Sequence, residues 1–138
     1  MNKENLVLLI EDSAEIQLLY KIAFAKSNIR VETASTRNEA LELIRLGLTP
    51  QLIIMDVRMV GMPIGSFLNI CRDAPNTSRT NIIAVSSFSE NAPQLKGLEI
   101  PFLQKPTRLI ELIALVTDAL EINSAKLIDE ENQSRGRL

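Results

Sequence analysis

Six residues of this 138-residue chain carry side chains suited to chemistry on phosphate, and each lies at or just after the end of a short apolar run. They are Glu11, Asp12, Asp56, Ser86, Ser87 and Lys105. Several carboxylates placed together repel one another, which favours a hard divalent cation with oxygen ligands such as Mg²⁺. One carboxylate can then attack phosphorus, while a hydroxyl and an ammonium group hold the phosphoryl oxygens. The residue types therefore indicate phosphoryl transfer onto a carboxylate.

These side chains can meet only if the apolar runs before them lie in one sheet. The runs that resemble strands are residues 6–10, 30–34, 51–55, 81–86 and 101–104. Helical patterns lie between them, and the last one covers residues 107–120. Alternating strands and helices predict a parallel sheet with helices on both faces, because right-handed crossovers place them there. We predict a doubly wound α/β fold, (βα)5, with strand order 2-1-3-4-5 and a ligand site at the carboxyl ends of the strands.

Local signals mark the ends of two of these helices. Thr36 and Glu39 have the spacing of a capping box, and Gly47 is placed to end the helix that they begin. Asp12 and Ser13 stand where either could cap the helix that starts near Ala14, so a capping role for Asp12 stays open beside a chemical one. Cys71 falls on the apolar side of the helix after Gly65, which indicates packing.

The composition excludes several classes of protein. The chain has no histidine and one cysteine, so a histidine-ligated zinc site, a serine-histidine catalytic site and an internal disulfide cannot form. Its net charge is -2 and it has no basic stripe, so we expect no nucleic-acid binding by this domain. The apolar runs are too short to cross a membrane or to form a secretion signal. We therefore expect a cytoplasmic protein.

Four motifs, in order and spacing, resemble the receiver domain of two-component response regulators, the chemotaxis-type module with a flavodoxin-like fold. They are "LLIEDS", "LIIMDVRM", "IIAVSS" and "FLQKP". The resemblance covers roughly residues 5–120, and we place the receiver domain at 1–122 and a polar tail at 123–138. It implies a signalling domain that takes a phosphoryl group from a sensor histidine kinase or phosphotransfer protein and switches a surface for a downstream protein target. It implies no enzyme activity beyond the domain's own phosphorylation and dephosphorylation, and it leaves a homodimer open.

The resemblance also implies a role for individual residues. Glu11 and Asp12 match the family's metal-binding acidic pair, with Asp12 the direct ligand of Mg²⁺ and Glu11 acting largely through water. Asp56 matches the phosphoacceptor and is a further metal ligand, and the backbone carbonyl of Arg58 completes the set.

The remaining roles concern the phosphoryl group and the switch. Ser86 matches the hydroxyl that contacts the phosphoryl group and moves on activation, and Ser87 the small residue after it. Lys105 matches the lysine that binds the phosphoryl group. Phe102 matches the aromatic residue whose rotamer reports activation.

Two departures from the family pattern keep a second interpretation open. Val60 stands at the usual proline after the acceptor, with Pro63 and Gly65 shifted, as if the loop had one extra residue. Pro93 falls where the fourth helix should run, so we expect that helix to be short or broken. A pseudo-receiver adaptor, which binds partners without phosphorylation, is therefore the alternative. A haloacid-dehalogenase-type phosphohydrolase is disfavoured because Arg58 occupies the place of its second acid.

Overall fold

The computed structural model describes residues 5–86, 100, 102–104, 114, 116–118 and 120. The chain divides into two compact units, Met1–Thr107 and Arg108–Leu138. Within these described residues, no helix has the length and apolar character that a membrane span requires. The predicted fourth helix around Pro93, the tail at 123–138 and the boundary at residue 122 lie outside the described residues and stay predictions.

The first unit alternates strands and helices, as the sequence predicts. Its elements are β1 (Asn5–Ile10), α1 (Ala14–Ala25), β2 (Ile29–Ala34), α2 (Arg37–Arg45), β3 (Leu52–Asp56), α3 (Ile64–Asp73), β4 (Asn81–Ser86) and β5 (Phe102–Gln104). All neighbouring strands are parallel, and their order is β2-β1-β3-β4-β5. The predicted doubly wound α/β fold with order 2-1-3-4-5 is confirmed.

The central strands are buried on both faces, which explains their unbroken apolar sequence. All five residues of β3 are buried, and so are the last four of β1. On one face of the sheet, α2 and α3 cover these strands with Ala40, Ile44, Phe67, Leu68 and Cys71. The burial of Cys71 confirms its predicted packing role.

Helix α1 begins at a serine cap. Ser13 Oγ accepts a hydrogen bond from the backbone N–H of Ile16 at 3.3 Å, so Ser13 rather than Asp12 caps the helix. The buried position of α1 is Phe24, whose ring meets Tyr20 edge to face at a centroid distance of 5.9 Å. The sequence predicts one helical stripe through Ile16, Leu19, Tyr20 and Ala23. Leu19 is nevertheless 51% exposed, because the inward face of α1 turns toward Phe24.

Helix α2 begins directly beside the carboxyl end of the sheet. Thr36 Oγ1 accepts from the Glu39 N–H at 3.0 Å, and Glu39 Oε2 accepts from the Ser35 N–H at 3.1 Å. The predicted capping box is thus present, with its second bond shifted by one residue. Gly47 follows the helix with φ of +112°, a conformation that glycine adopts without strain. These caps place Arg37 in the first turn, at the level of the loop after β3.

The second unit contributes helical residues at 114, 116–118 and 120, in agreement with the helix predicted over 107–120. Val116 and Leu120, one turn apart, are both buried. This spacing is that of an apolar helix face.

Candidate functional site

The strand register brings two of the predicted acids to one level of the sheet. Ile10 of β1 pairs with Met55 of β3, so the next residues along the two strands, Glu11 and Asp56, are neighbours. Together with Asp12 they form a cluster in which one carboxylate oxygen of each residue lies within 4.8 Å of the others. Glu11 and Asp56 are buried, whereas Asp12 is exposed. The cluster therefore consists of two buried acids and one acid that is open to solvent.

Asp56 is held in a defined orientation at the end of β3. Its Oδ1 accepts a hydrogen bond from the backbone N–H of Arg58 at 2.9 Å. The N–H of Val57 bonds to the carbonyl of Val85 at 3.0 Å, which continues the pairing of β3 with β4 past Asp56. Asp56 as a whole is only 7% exposed. The sheet and the first residues of the loop thus fix the position of Asp56.

Glu11, the first acid after β1, is fixed by hydrogen bonds to its backbone and to its carboxylate. The Glu11 N–H donates to the carbonyl of Ala34 at 3.0 Å, and Gln17 Nε2 donates to the carbonyl of Glu11 at 2.6 Å. Glu11 Oε1 also accepts from the Ser13 N–H at 3.2 Å. No sequence pattern indicates this contact of Gln17, because the acceptor at Glu11 is a backbone oxygen that any residue supplies. These bonds turn Glu11 inward and leave Asp12 on the solvent side.

The donor set fits a magnesium ion. Three carboxylates within 4.8 Å repel one another, and burial of two of them strengthens the repulsion. A hard divalent cation relieves this repulsion and takes oxygen ligands, while the exposed Asp12 leaves room for the waters that Mg²⁺ retains. The backbone carbonyl of Arg58 stays a prediction as a further ligand.

Arg37 is a buried charged residue at this site that sequence reasoning missed. Its side chain is 3% exposed, and its guanidinium donates to the carbonyls of Asp56, Val57 and Met62 at 3.2, 2.8 and 2.9 Å. Its Nε also donates to Met55 Sδ at 3.4 Å. Burial lowers the pKa of Arg37, and the negative charge of Asp56 opposes that shift. Since arginine stays protonated in proteins, a positive charge lies close to Asp56.

The one sequence signal for Arg37 is weak. Acidic residues are favoured in the first turn of a helix, because the peptide dipoles give that end a partial positive charge. A cation at the first position of α2 runs against this preference. It therefore suggests a contact outside the helix, but it does not say where.

The remaining predicted residues are placed by backbone alone or lie outside the described residues. Ser86 ends β4, one residue beyond Val85, which pairs with Asp56. Phe102 opens β5 opposite Ala84. Lys105 and Ser87 lie outside the described residues. The roles of all four stay predictions.

A family model described as the response regulator receiver domain matches residues 7–117. The chain belongs to this family. This confirms the resemblance in the four motifs and identifies the chain as a receiver domain, a signalling module.

Individual relatives agree with this assignment. The chain is 31% identical over 122 residues to the KDP operon transcriptional regulatory protein KdpE of Escherichia coli, and it is 26% identical over 129 residues to the regulatory protein AtoC of the same organism. These alignments cover 86% and 91% of this chain but 52% and 27% of the relatives. The chain thus spans about half or less of the length of these regulators.

Solved structures share the fold. The chemotaxis response regulator CheY4 of Vibrio cholerae is 24% identical, with a TM-score of 0.74 over 85% of this chain and 99% of that one. A response regulator receiver protein of Pseudomonas putida is 25% identical, with a TM-score of 0.72 over 86% of this chain and 99% of that one. Nearly the whole of each matched chain is therefore represented here.

Proposed function

We propose that this receiver domain accepts a phosphoryl group on Asp56 in a Mg²⁺-dependent reaction and thereby switches a surface that binds a downstream protein. The observation that carries the proposal is the buried, oriented Asp56 within 4.8 Å of two further carboxylates. A purely structural aspartate at a strand end would not need two acidic neighbours, because their repulsion destabilises the apo protein. Glu11, Asp12 and Asp56 are the proposed metal residues, and the Arg58 carbonyl is the proposed backbone ligand.

The chemistry follows from the positions of the chain's own groups. Bound Mg²⁺ supplies charge neutralisation for the acids and for the phosphoryl oxygens. The Asp56 carboxylate attacks phosphorus, the bond from phosphorus to the donor breaks, and an acyl phosphate remains on the protein. The amide of Arg58 keeps the carboxylate turned for this attack. Lys105 and Ser86 are the proposed partners of the phosphoryl oxygens.

The proposed partners follow from the same chemistry. The donor is a sensor histidine kinase or a phosphotransfer protein, and a small phosphodonor can replace it in vitro. The proposed output runs from Ser86 to Phe102 by a population shift: the hydroxyl moves toward the phosphoryl group and makes room for the ring. We propose a cytoplasmic domain that contacts no nucleic acid itself, and a homodimer stays a prediction.

Intact-mass measurement with acetyl phosphate and Mg²⁺ tests the proposal. We expect a single phosphate adduct on the wild type, none on Asp56→Asn, and an unchanged adduct on Asp73→Asn. Asp73 is a matched control, because it is an exposed aspartate at the end of α3. No adduct on the wild type, or an equal adduct on Asp56→Asn, would favour the adaptor that binds partners without phosphorylation.

A further inference from the structure

The loop after the acceptor, residues 57–63, is held from outside. Two hydrogen bonds lie in its first half, where the Met59 N–H bonds to the Val57 carbonyl at 3.0 Å and the Arg58 N–H bonds to Asp56 Oδ1. The far half contains Gly61 with φ of +119° and Val60, which is 95% exposed. The orientation of Asp56 therefore depends on a loop that has little internal support at its tip.

The Arg37 guanidinium spans this loop. Its NH2 group donates to the carbonyls of Asp56 and Val57 at the start of the loop, and NH1 donates to the carbonyl of Met62 at its end. The planar guanidinium thus links the start of the loop to its end. Its N–H groups point in fixed directions, which suits several acceptors held at fixed angles. Asn38, the next residue of α2, lies beside Gly61: a Cβ on that glycine would be 3.5 Å from Asn38 Oδ1. The first turn of α2 therefore lies alongside the loop.

The position of Arg37 is unfavourable for the helix that carries it. A cation in the first turn of a helix is unfavourable, because the helix dipole already places a partial positive charge there. Burial of the charge costs more, and it is tolerated only where the donors find partners. All of the partners described for Arg37 lie in β3 or in the loop after it, and none lies in α2. The contacts that compensate this burial are those around the acceptor.

We propose that Arg37 is a positioning residue for the reaction at Asp56. Its guanidinium clamps residues 56, 57 and 62 so that the Arg58 amide holds the Asp56 carboxylate in the orientation that binds metal and attacks phosphorus. The inference rests on the proposed function of Asp56. We call these contacts the Arg37 clamp. A merely structural arginine would change stability alone, whereas the clamp also sets the affinity of the acidic cluster for Mg²⁺.

The test uses the full chain and three variants. Arg37→Met removes the clamp, Arg37→Lys keeps the charge without the fork, and Arg45→Met makes the same change as the first at the exposed end of α2. Three quantities are measured per folded protein. They are the Mg²⁺ concentration at half-saturation, the NMR shift of the Arg58 amide, and the maximal phosphorylation rate at saturating acetyl phosphate.

We expect Arg37→Met to weaken Mg²⁺ binding and to lower the maximal rate by about tenfold each, the size found when groups that orient metal ligands are removed. The Arg58 amide should shift, because its hydrogen bond to Asp56 changes. Arg37→Lys should lie between this variant and the wild type, and Arg45→Met should match the wild type in all three measurements.

Two results would overturn the clamp. One is an Arg37→Met protein with wild-type Mg²⁺ affinity and an unmoved Arg58 amide, and the other is a rate loss explained wholly by the unfolded fraction. If Arg37→Met does not fold, the same measurements on Arg37→Lys test the clamp, and wild-type Mg²⁺ affinity with an unmoved Arg58 amide would reject it. If the wild type accepts no phosphate, the proposed phosphorylation of Asp56 is rejected independently of the clamp. The Mg²⁺ affinity and the NMR shift of the Arg58 amide in the variants then still test whether Arg37 orients the acidic cluster.

Discussion

At the amino end of the sheet, the loop between α3 and β4 is held by neutral side chains, whereas at the carboxyl end the loop after β3 is held by a buried cation. In the first loop, Thr77 Oγ1 donates to the Cys71 carbonyl at 2.7 Å, and Asn76 Nδ2 donates to the carbonyls of Ile44 and Leu48 at 2.8 and 2.6 Å. Both ends therefore solve the same problem, the pairing of backbone oxygens away from water.

The difference between the ends lies in charge. A hydroxyl or an amide donates without the large desolvation cost of an ion, so neutral donors are sufficient for a loop that only has to stay in place. A guanidinium is more costly, and here its charge lies beside Asp56. We infer that the amino end serves stability and that the carboxyl end serves phosphoryl transfer, at the edge where ligands bind in such folds.

The largest expected effect is a loss of metal binding, which we expect only from changes at the carboxyl end of the sheet. Asp12→Ala should weaken Mg²⁺ binding by about 100-fold or more, because a direct ligand should matter at least as much as the groups that orient it. Without metal the variant should be no less stable than the wild type, since one repelling charge is gone. Thermal melts with and without millimolar Mg²⁺ measure this. If Mg²⁺ raises the melting temperature of Asp12→Ala as much as that of the wild type, the carboxyl end of the sheet holds no metal site.

The second effect is on stability at the amino end. Thr77→Val keeps the shape but leaves the buried Cys71 carbonyl without its donor, which should lower the free energy of unfolding by about 2 kcal/mol. Urea unfolding measures the loss, and Thr49→Val is the control, because the Thr49 hydroxyl donates to the Gly47 carbonyl at the surface. Mg²⁺ affinity and phosphorylation rate should not change. A Thr77→Val protein with weakened Mg²⁺ binding would break the division between the ends.

The effect that is smallest near neutral pH concerns the Cys71 thiol and grows only in alkali. Burial raises the pKa of the Cys71 thiol from 9.0 to about 11, against the smaller opposite effect of its hydrogen bond with Thr77. The unfolded chain therefore loses this proton at lower pH than the folded one, so the stabilising contribution is complete below pH 9 and is lost as the pH rises through 11. The loss is at most about 1.4 kcal/mol per pH unit.

The measurement compares wild type with Cys71→Ala by urea unfolding between pH 8 and pH 11. The gap in stability between them should narrow as pH rises, because only the wild type has a thiol to titrate. The comparison cancels the other groups that titrate in this range. A constant gap would mean that the folded and unfolded thiols have the same pKa.

The features that could be predicted from the sequence are those that depend on the type of side chain. Apolar runs predicted the strands to within a residue at each end, and the acids after two of these runs predicted which side chains meet. Parallel topology made this possible, because it brings strand ends together whatever the loops do. The cap at Thr36 was likewise readable from its spacing to Glu39.

The rest depends on backbone acceptors and on small rotations. The loop oxygens that Arg37 contacts lie 19, 20 and 25 residues away in the chain, and a carbonyl leaves no trace in the identity of its residue. The contact of Gln17 could not be predicted for the same reason, because it donates to a backbone carbonyl. Leu19 was misplaced because helix periodicity fixes a stripe only to within about one position, and packing at Phe24 decided the face.

The Arg37 clamp contacts only backbone oxygens in the loop, and every amino acid has one. Evolution can therefore exchange an exposed side chain of this loop without removing an acceptor, whereas Gly61 is restrained by its positive φ. Val60, almost fully exposed, is free to vary in this way. A lineage of such domains could acquire a new docking partner through the tip of this loop in a few mutations, while the acceptor beneath it keeps its geometry.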